Sequence, residues 1–595
     1  GFGQFDVRIL LTDKGLEEYW TVIQLALAYV KKMQELPICD RFFEELQQVT
    51  KISFDFKSKE RALYTSNTLT RNLHLYPVED IIAGPVLYQN YDPELIKKFI
   101  NALQPENCNI FLLSKTFKDS LDLEEKWYNT KYSKEDISEK LKAIFEDSSN
   151  GFEYDVEQLN YPPVNQYLPK RLEVLPREGL PDQPSLILSE DGITAFFKQN
   201  TKFTEPKTAI YARFFINDLE IATRVDVQLK AKMWLDMFLE KFREEDYMAS
   251  LSAISTSVGR DTSAIRLNAS GFNDSVLAWT REVTKRLTSF KLEKEDEVLF
   301  LDKLEQTKKN LRNSMLDQPY QIGNRHLDSL LLTPYTPTKD KLAIIDSLTF
   351  EDMVQFGEEW FCKVYTEWII GGNLTADEAK SFLKDIMEVM DKPKMSAEEI
   401  IQFTTSELAQ GSRATYQETV LNEKDENSAV ICYFQHKAAD HNEQLVNDVL
   451  AQVIREPFYD VLRTKEQLGY LVWMTHVRHR DVEGFSGIIQ SVVAGPVHLQ
   501  NRVSTFLTEY QQKVEVLTEE EFKMIVEGVI AKNYPIDRTI SQETVRYWSD
   551  ILNREYMFDR VEIEKEILNK ITKEQVITAF KEIFIDSPRR FDILM

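Results

Sequence analysis

Sulfur and imidazole are scarce in this chain: four cysteines and seven histidines are spread over 595 residues. Cys39, Cys108, Cys362 and Cys432 form no CxxC pair and no framework spacing, which argues against a disulfide scaffold or a structural zinc site and predicts buried thiols in a reducing compartment. His74, His326, His436, His441, His476, His479 and His498 nowhere complete HExxH or HxxEH, the spacings that set two imidazoles on one helix face beside a general base. His441 with Glu443 and His476 with His479 come nearest; each lacks a third ligand close in sequence, and both read as surface histidines. Long apolar runs are missing too: none approaches the roughly 20 residues a membrane-spanning helix needs. Positive charge is short, with 72 Lys+Arg against 97 Asp+Glu and a net charge of -25, so phosphate backbones and anionic lipid are repelled. With no sustained basic stripe either, a nucleic-acid or membrane adaptor is disfavoured. An initiator Met, a signal h-region and a transit-type segment are absent from the Gly-Phe-Gly start, which reads as a fragment.

What is present is an ordinary soluble composition, 43% hydrophobic and 28% charged, enough for about three domains of roughly 100–200 residues. A repeat orders it. Strand-like alternation feeds a helix at Phe5 to Leu11, at Ala264 to Ser270 and at Phe485 to Val492. Each is followed by an N-capped helix that ends before a short strand: Asp92 with Cys108 to Ser114, Thr349 with Thr366 to Gly371, Thr572 with Arg590 to Met595. Asp92 follows Phe5 by 87 residues, Thr349 follows Ala264 by 85 and Thr572 follows Phe485 by 87, a nearly constant period. The second and third copies are preceded by a further strand, long helix and strand, at Ile210 to Ile216 with Val225 to Arg243 and at Ala429 to Phe434 with a helix ending near Glu456. The first copy has none, so about 55 residues are expected to be missing from its front, on the spacing of Ala264 from Ile210.

The organisation expected is a partial domain over 1–150, an extended connector over 151–184 carrying Pro162, Pro163, Pro169, Pro176 and Pro181, and complete domains over 185–408 and 409–595. Hairpin-linked alternating strands followed by helices predict an α+β class: repeated domains, each a mainly antiparallel sheet covered by helices.

The least scaffold-like stretch is Arg455 to Trp473, REPFYDVLRTKEQLGYLVW. Apolar pairs at Leu445/Val446, Val449/Leu450 and Val453/Ile454 mark one stripe of a helix, which Pro457 should punctuate; Gly469 then leads into a strand from Tyr470 to Trp473. Arg463 and Tyr470 flank that corner with polar tips. By pattern alone they are open to two readings, solvated helix and strand-end residues or a pair of site donors.

The run RTKEQLGY after EPFYDVL resembles the fourth domain of the insulysin group, which includes fungal a-factor-processing proteases. The resemblance extends through FKSKER at Phe56 to Arg61, LQPENCNIFLLSKTF at Leu103 to Phe117, KWYNTKY at Lys126 to Tyr132 and NQYLPKRLEVLP at Asn165 to Pro176. It implies a pitrilysin/LuxS-like inverted zinc metalloendopeptidase of four homologous domains, paired into two halves that close over a peptide-sized chamber. The chain would then supply the tail of domain two with domains three and four. Its partners would be peptide substrates and the N-terminal catalytic half of the same protein, its location cytoplasmic, with homodimerisation of the parent left open. The resemblance places the zinc ligands and catalytic glutamate on an HxxEH helix of the first domain, so no metal ligand is expected here and the chain by itself would be inactive. It assigns Arg463 and Tyr470 to stabilising the oxyanion of the scissile carbonyl, and Tyr459 to a substrate-side aromatic, although a core residue after Pro457 is an equal reading. Arg61, Lys532 and Arg538 match a polyanion-binding cluster, while Ile536 and Thr539 stand where animal members have lysines; solvated surface cations are the alternative. The competing function is a non-catalytic chamber half or assembly module.

Overall fold

The computed structural model describes residues 4–147, 159–216, 223–261, 264–400, 404–438, 440–479 and 482–595. The chain divides into two compact units, Gly1–Asp55 with Ala62–Leu168, and Phe56–Arg61 with Pro169–Met595. The expected boundary between 150 and 151 lies outside the described residues; from 159 to 184 the chain forms no helix or strand.

The first unit is built of helices, among them Tyr19–Glu35, Asp40–Asp55 and Pro93–Asn101. Asp92 caps the last of these by accepting from Leu95 N, with Pro93 in the first turn where no N–H is needed. Two expected strands are not formed: Phe5–Leu11 and Cys108–Ser114 have no regular structure and no ladder partner, with Leu10, Phe111 and Leu113 exposed. The repeat supplies the reason. In the second unit the equivalent strands, Ala264–Phe272 and Val364–Gly372, both pair with the central strand Lys207–Ile216. No described residue of the first unit provides such a strand, and alternation without a ladder partner makes no sheet.

The second unit contains two large sheets, beside a two-stranded pair of Leu332–Thr333 with Thr404–Thr405. The first comprises β1 (Ser185–Glu190), β2 (Ile193–Gln199), β3 (Lys207–Ile216), β4 (Ser255–Arg260), β5 (Ala264–Phe272) and β6 (Val364–Gly372), in the order β1-β2-β6-β3-β5-β4. The second comprises β7 (Arg413–Gln417), β8 (Ser428–Ala438), β9 (Leu471–His479), β10 (Val482–Ser491) and β11 (Arg589–Leu594), in the order β7-β11-β8-β10-β9. Only β2–β6 and β7–β11 pair in parallel. The two sheets thus share one topology, with β3, β4, β5 and β6 answering to β8, β9, β10 and β11.

The helices that position the site are α1 (Val225–Lys241), α2 (Arg243–Ser250), α3 (Asn273–Ser289), α4 (Pro319–Leu331), α5 (His441–Tyr459), α6 (Pro496–Glu515), α7 (Glu519–Asn533), α8 (Ile540–Leu552) and α9 (Lys573–Phe584). The apolar stripe read in α5 is the one buried: Leu445, Val446, Val449, Leu450, Val453 and Ile454 join Phe458, Leu462 and residues of α6, α7 and α9 in the main core of the second sheet. Each such side chain contributes about 1.5–3 kcal/mol on burial. Capping boxes at Thr349 and Thr572 fix the starts of Phe350–Trp360 and α9.

The other faces are covered by exchange. Helix α4, which precedes β6 in the chain, sets Leu327 and Leu331 on Ile431, Ile488 and Ile593 of the second sheet. Its repeat counterpart α8 sets Tyr547, Trp548 and Ile551 on Phe196 and Ile369 of the first. Gly371 permits the second docking, since a Cβ there would stand 2.2 Å from Thr544 Oγ1. Glu543 of α8 meets Lys198 at 3.4 Å and Lys202 at 2.8 Å; desolvation lowers the Lys198 pKa although Glu543 opposes it. Such a buried pair favours one docking register more than it adds net stability.

One further expectation, that the thiols are buried, is corrected. Only Cys432 of the four thiols is buried, while Cys108 and Cys362 are exposed. Among the described residues no helix is long and apolar enough to cross a membrane.

Candidate functional site

Pro457 does not end α5; it lies inside it, and the helix runs on as a widened π-turn over Asp460–Lys465. A proline within a helix removes one N–H and leaves the carbonyl four residues earlier unsatisfied. Here that carbonyl, Val453 O, accepts from the Tyr510 hydroxyl of α6 at 2.9 Å, and burial pushes the Tyr510 pKa up to about 12. The extra residue per turn shows in Glu466 N donating to Val461 O at 2.9 Å, and the chain is released when Gln467 takes φ 53°. Glu466 anchors the turn through two bonds to Arg502 of α6, Nε to Oε2 at 2.8 Å and Nη2 to Oε1 at 2.5 Å. Arg502 thereby holds the Glu466 pKa below its ordinary value. Gly469 then passes close under β10, where a Cβ would stand 2.0 Å from Gln490 O.

This geometry brings Arg463, Tyr459 and Tyr470 together. The Arg463 guanidinium carbon lies 5.4 Å from the Tyr459 ring centroid and 5.6 Å from that of Tyr470, within cation–π range. Tyr470 is 82% exposed and Tyr459 44% exposed, so Tyr459 is a partly open neighbour of Arg463 and not a core residue. Arg463 Nε is buried without a hydrogen-bond acceptor, and the Tyr470 hydroxyl bonds to no described residue. The corner therefore presents two aromatic faces and a planar cation with donor capacity left over, an arrangement suited to an oxygen anion or carbonyl.

The other proposed cluster is less gathered. Arg538 Nη1 donates to Glu60 O at 3.2 Å, which sets it beside the backbone preceding Arg61. Lys532 is exposed in the last turn of α7 and forms no hydrogen bond or ion pair with either. No group of three His, Cys, Asp or Glu side chains among the described residues could hold a metal ion, so the residues present do not fit a zinc site.

A buried polar network escaped the sequence reading. His476 is not a surface histidine: its side chain is 15% exposed, with Nδ1 3.1 Å from Asp448 and Nε2 3.0 Å from Glu483. Burial alone would lower its pKa, but the two carboxylates outweigh that and raise it to about 9. Asn447 donates to Glu483 at 2.7 Å and contacts His436 Nδ1 at 3.0 Å. His479 has its pKa lowered by burial, and His441 faces Glu564 at 3.3 Å, so neither is simply solvated. The signal was available in strand parity: His476 follows the buried Val472 and Met474 on one face of β9.

The model of the middle or third domain of peptidase M16 matches residues 54–344, and that of the C-terminal lobe domain 4 of PqqF-like PQQ synthase matches residues 449–548. Human insulin-degrading enzyme is 27% identical over 603 residues, covering 100% of this chain and 58% of that protein. The chain is similar to members of the peptidase M16 family. A nardilysin-like protein of Arabidopsis thaliana is 29% identical over 598 residues, covering 98% of the chain and 57% of the relative. The crystal structure of pitrilysin shares the fold, with TM-score 0.78 at 19% identity over 98% of this chain and 60% of that one. The chain spans somewhat over half the length of the curated relatives it matches.

Proposed function

We propose that this chain supplies one wall of a peptidase chamber, with Arg463 and Tyr470 stabilising the oxyanion formed when a peptide carbonyl is attacked. The observation that carries the reading is the donor capacity left unused at the corner: Arg463 Nε lacks an acceptor beside an open Tyr470. A guanidinium carried on the packed helical turn and a phenol at the start of β9 are donors of the kind that lower a barrier as negative charge develops. Tyr459 stacks on Arg463 and restricts where its guanidinium can point. The peptide and the catalytic half of the protein are the partners in this reading. The zinc and the general base would come from that half, since the described residues do not fit a metal.

The test is Tyr470→Phe in the complete peptidase, with turnover of a fluorogenic peptide measured beside a thermal melt. A fall in kcat of about 10²–10³ with an unchanged melt is expected, the loss of one oxyanion donor being worth about 2.7–4 kcal/mol. Unchanged kcat in the folded variant removes the role and favours a non-catalytic chamber half.

A further inference from the structure

Strand β9 meets a different helix on each face. Val472 and Met474 join the core that α5 covers, whereas Trp473 packs on the cluster under α4, its ring 5.4 Å from that of Tyr320 and steeply inclined at 86°. Gln490 of β10 lies in register with Leu471, and its side chain fastens the same helix α4. Gln490 Oε1 accepts from Tyr320 N at 3.2 Å, and Gln490 Nε2 donates to Gln318 Oε1 at 3.4 Å. Pro319 opens α4 without an N–H, so Tyr320 N is the first amide the helix leaves without an intrahelical partner. A side chain from a strand of the other repeat thus does the work of a capping residue. The main chain of Gln490 meets the corner: its carbonyl oxygen is the atom that excludes a Cβ at residue 469. Tyr470 therefore has a fixed neighbour on each side, Gly469 against Gln490 O and Leu471 in register with Gln490.

We infer that Gln490 is a positioning residue for Tyr470, through which the docking of α4 on the second sheet sets where the Tyr470 hydroxyl stands. The side chain holds β10 to the start of α4 and the main chain holds Gly469, so a shift of β10 against α4 moves the residue that presents the phenol. Arg463 contacts the Tyr470 ring, and a cation over a ring face constrains the hydroxyl less than a hydrogen bond to its oxygen would. The backbone therefore sets the aim. Gln490 is only 6% exposed, so it acts through Tyr470 and not on a peptide. The catalytic consequence rests on the oxyanion reading of Tyr470, whereas the positioning itself does not.

Two measurements test it, with Gln490→Met, which keeps the volume and loses both bonds, and Gln490→Glu, which keeps the acceptor for Tyr320 N. In the full chain carrying 3-fluorotyrosine in place of Tyr470, the fluorine NMR resonance should shift or split in Gln490→Met and return to its wild-type position in Gln490→Glu. In the complete peptidase Gln490→Met should lower kcat about 10–100-fold with KM little changed, the scale on which a small misplacement of a reacting group acts. Gln490→Glu should restore most of that rate, and Gln490→Met should cost nothing further in a Tyr470→Phe background. Where circular dichroism shows that the methionine variant does not fold, Gln490→Asn, a methylene too short to reach Tyr320 N, is measured in its place. An unmoved resonance in the folded variant overturns the inference, as does an equal fall in kcat with Tyr470 and with Phe at that position, the mark of a merely structural glutamine. If Tyr470→Phe alone leaves kcat unaltered while the resonance moves, the oxyanion role fails and the positioning stands.

Discussion

The two helix-to-strand corners of the second unit grow from one scaffold and do different things with it. In the first sheet, α1 and α2 lead into the edge strand β4; in the second, α5 and its π-turn lead into the edge strand β9. The first corner has an exposed Tyr247 with no arginine over its ring among the described residues. The second has Arg463 held between two tyrosines. The fastening differs as well. Strand β4 is tied to α3 through the neutral Trp279–Thr256 bond, whereas β9 is tied to α5 through a histidine between two carboxylates. A repeated fold thus conserves where an edge strand ends while leaving its chemistry free to diverge.

That contrast can be broken first at the fastenings. His476→Ala leaves the buried Glu483 with Asn447 but without its cationic partner, so a loss of about 3–5 kcal/mol is expected in chemical denaturation; Thr256→Ala should cost only about 1 kcal/mol, the net worth of an ordinary hydrogen bond. The same pair separates by pH. The His476 pKa is raised, so its contribution is full below its ordinary value of 6.5 and is lost as pH climbs through about 9. With that shift worth about 3 kcal/mol, a melt at pH 9.5 should fall below that at pH 7, and His476→Gln should flatten the fall. Glu483 acts oppositely: its pKa is lowered, so its contribution disappears as pH drops below its ordinary value of 4.5. A wild-type melt equal at pH 7 and 9.5 contradicts the network.

The corners themselves come next. In the complete peptidase Arg463→Ala should lower kcat by about 10²-fold or more, while Tyr247→Phe at the counterpart corner should leave it unaltered. A smaller effect sharpens how the second corner is held: Tyr510→Phe removes the donor to Val453 O and should cost about 1–3 kcal/mol. If the π-turn aims Arg463, kcat should fall with KM little changed; a loss of stability without any change in kcat would assign Tyr510 to packing alone. The smallest change expected is at a cap remote from both corners, Thr349→Ala, about 1 kcal/mol with no change in activity.

Much of this molecule was legible in residue order. The period that relates Thr349 to Ala264 and Thr572 to Phe485 reported two sheets of one topology, because alternation and N-caps are local signals that tertiary packing seldom overturns. The stripe of α5 was legible for the same reason, as was the pairing of Arg463 with Tyr470 across a corner. Sequence misjudged Pro457, since the rescue of Val453 O comes from Tyr510, 57 residues on. It misjudged Phe5–Leu11 and Cys108–Ser114, because a strand exists only where a neighbour completes its hydrogen bonds.

The sequence by itself determined the repeat and the helices with their caps and buried stripes. Only the tertiary structure decided that α4 and α8 cover each other's sheets and that His476 sits ionised between Asp448 and Glu483. Those features depend on which distant groups share a low-dielectric interior, and proximity of that kind is not encoded in any local spacing.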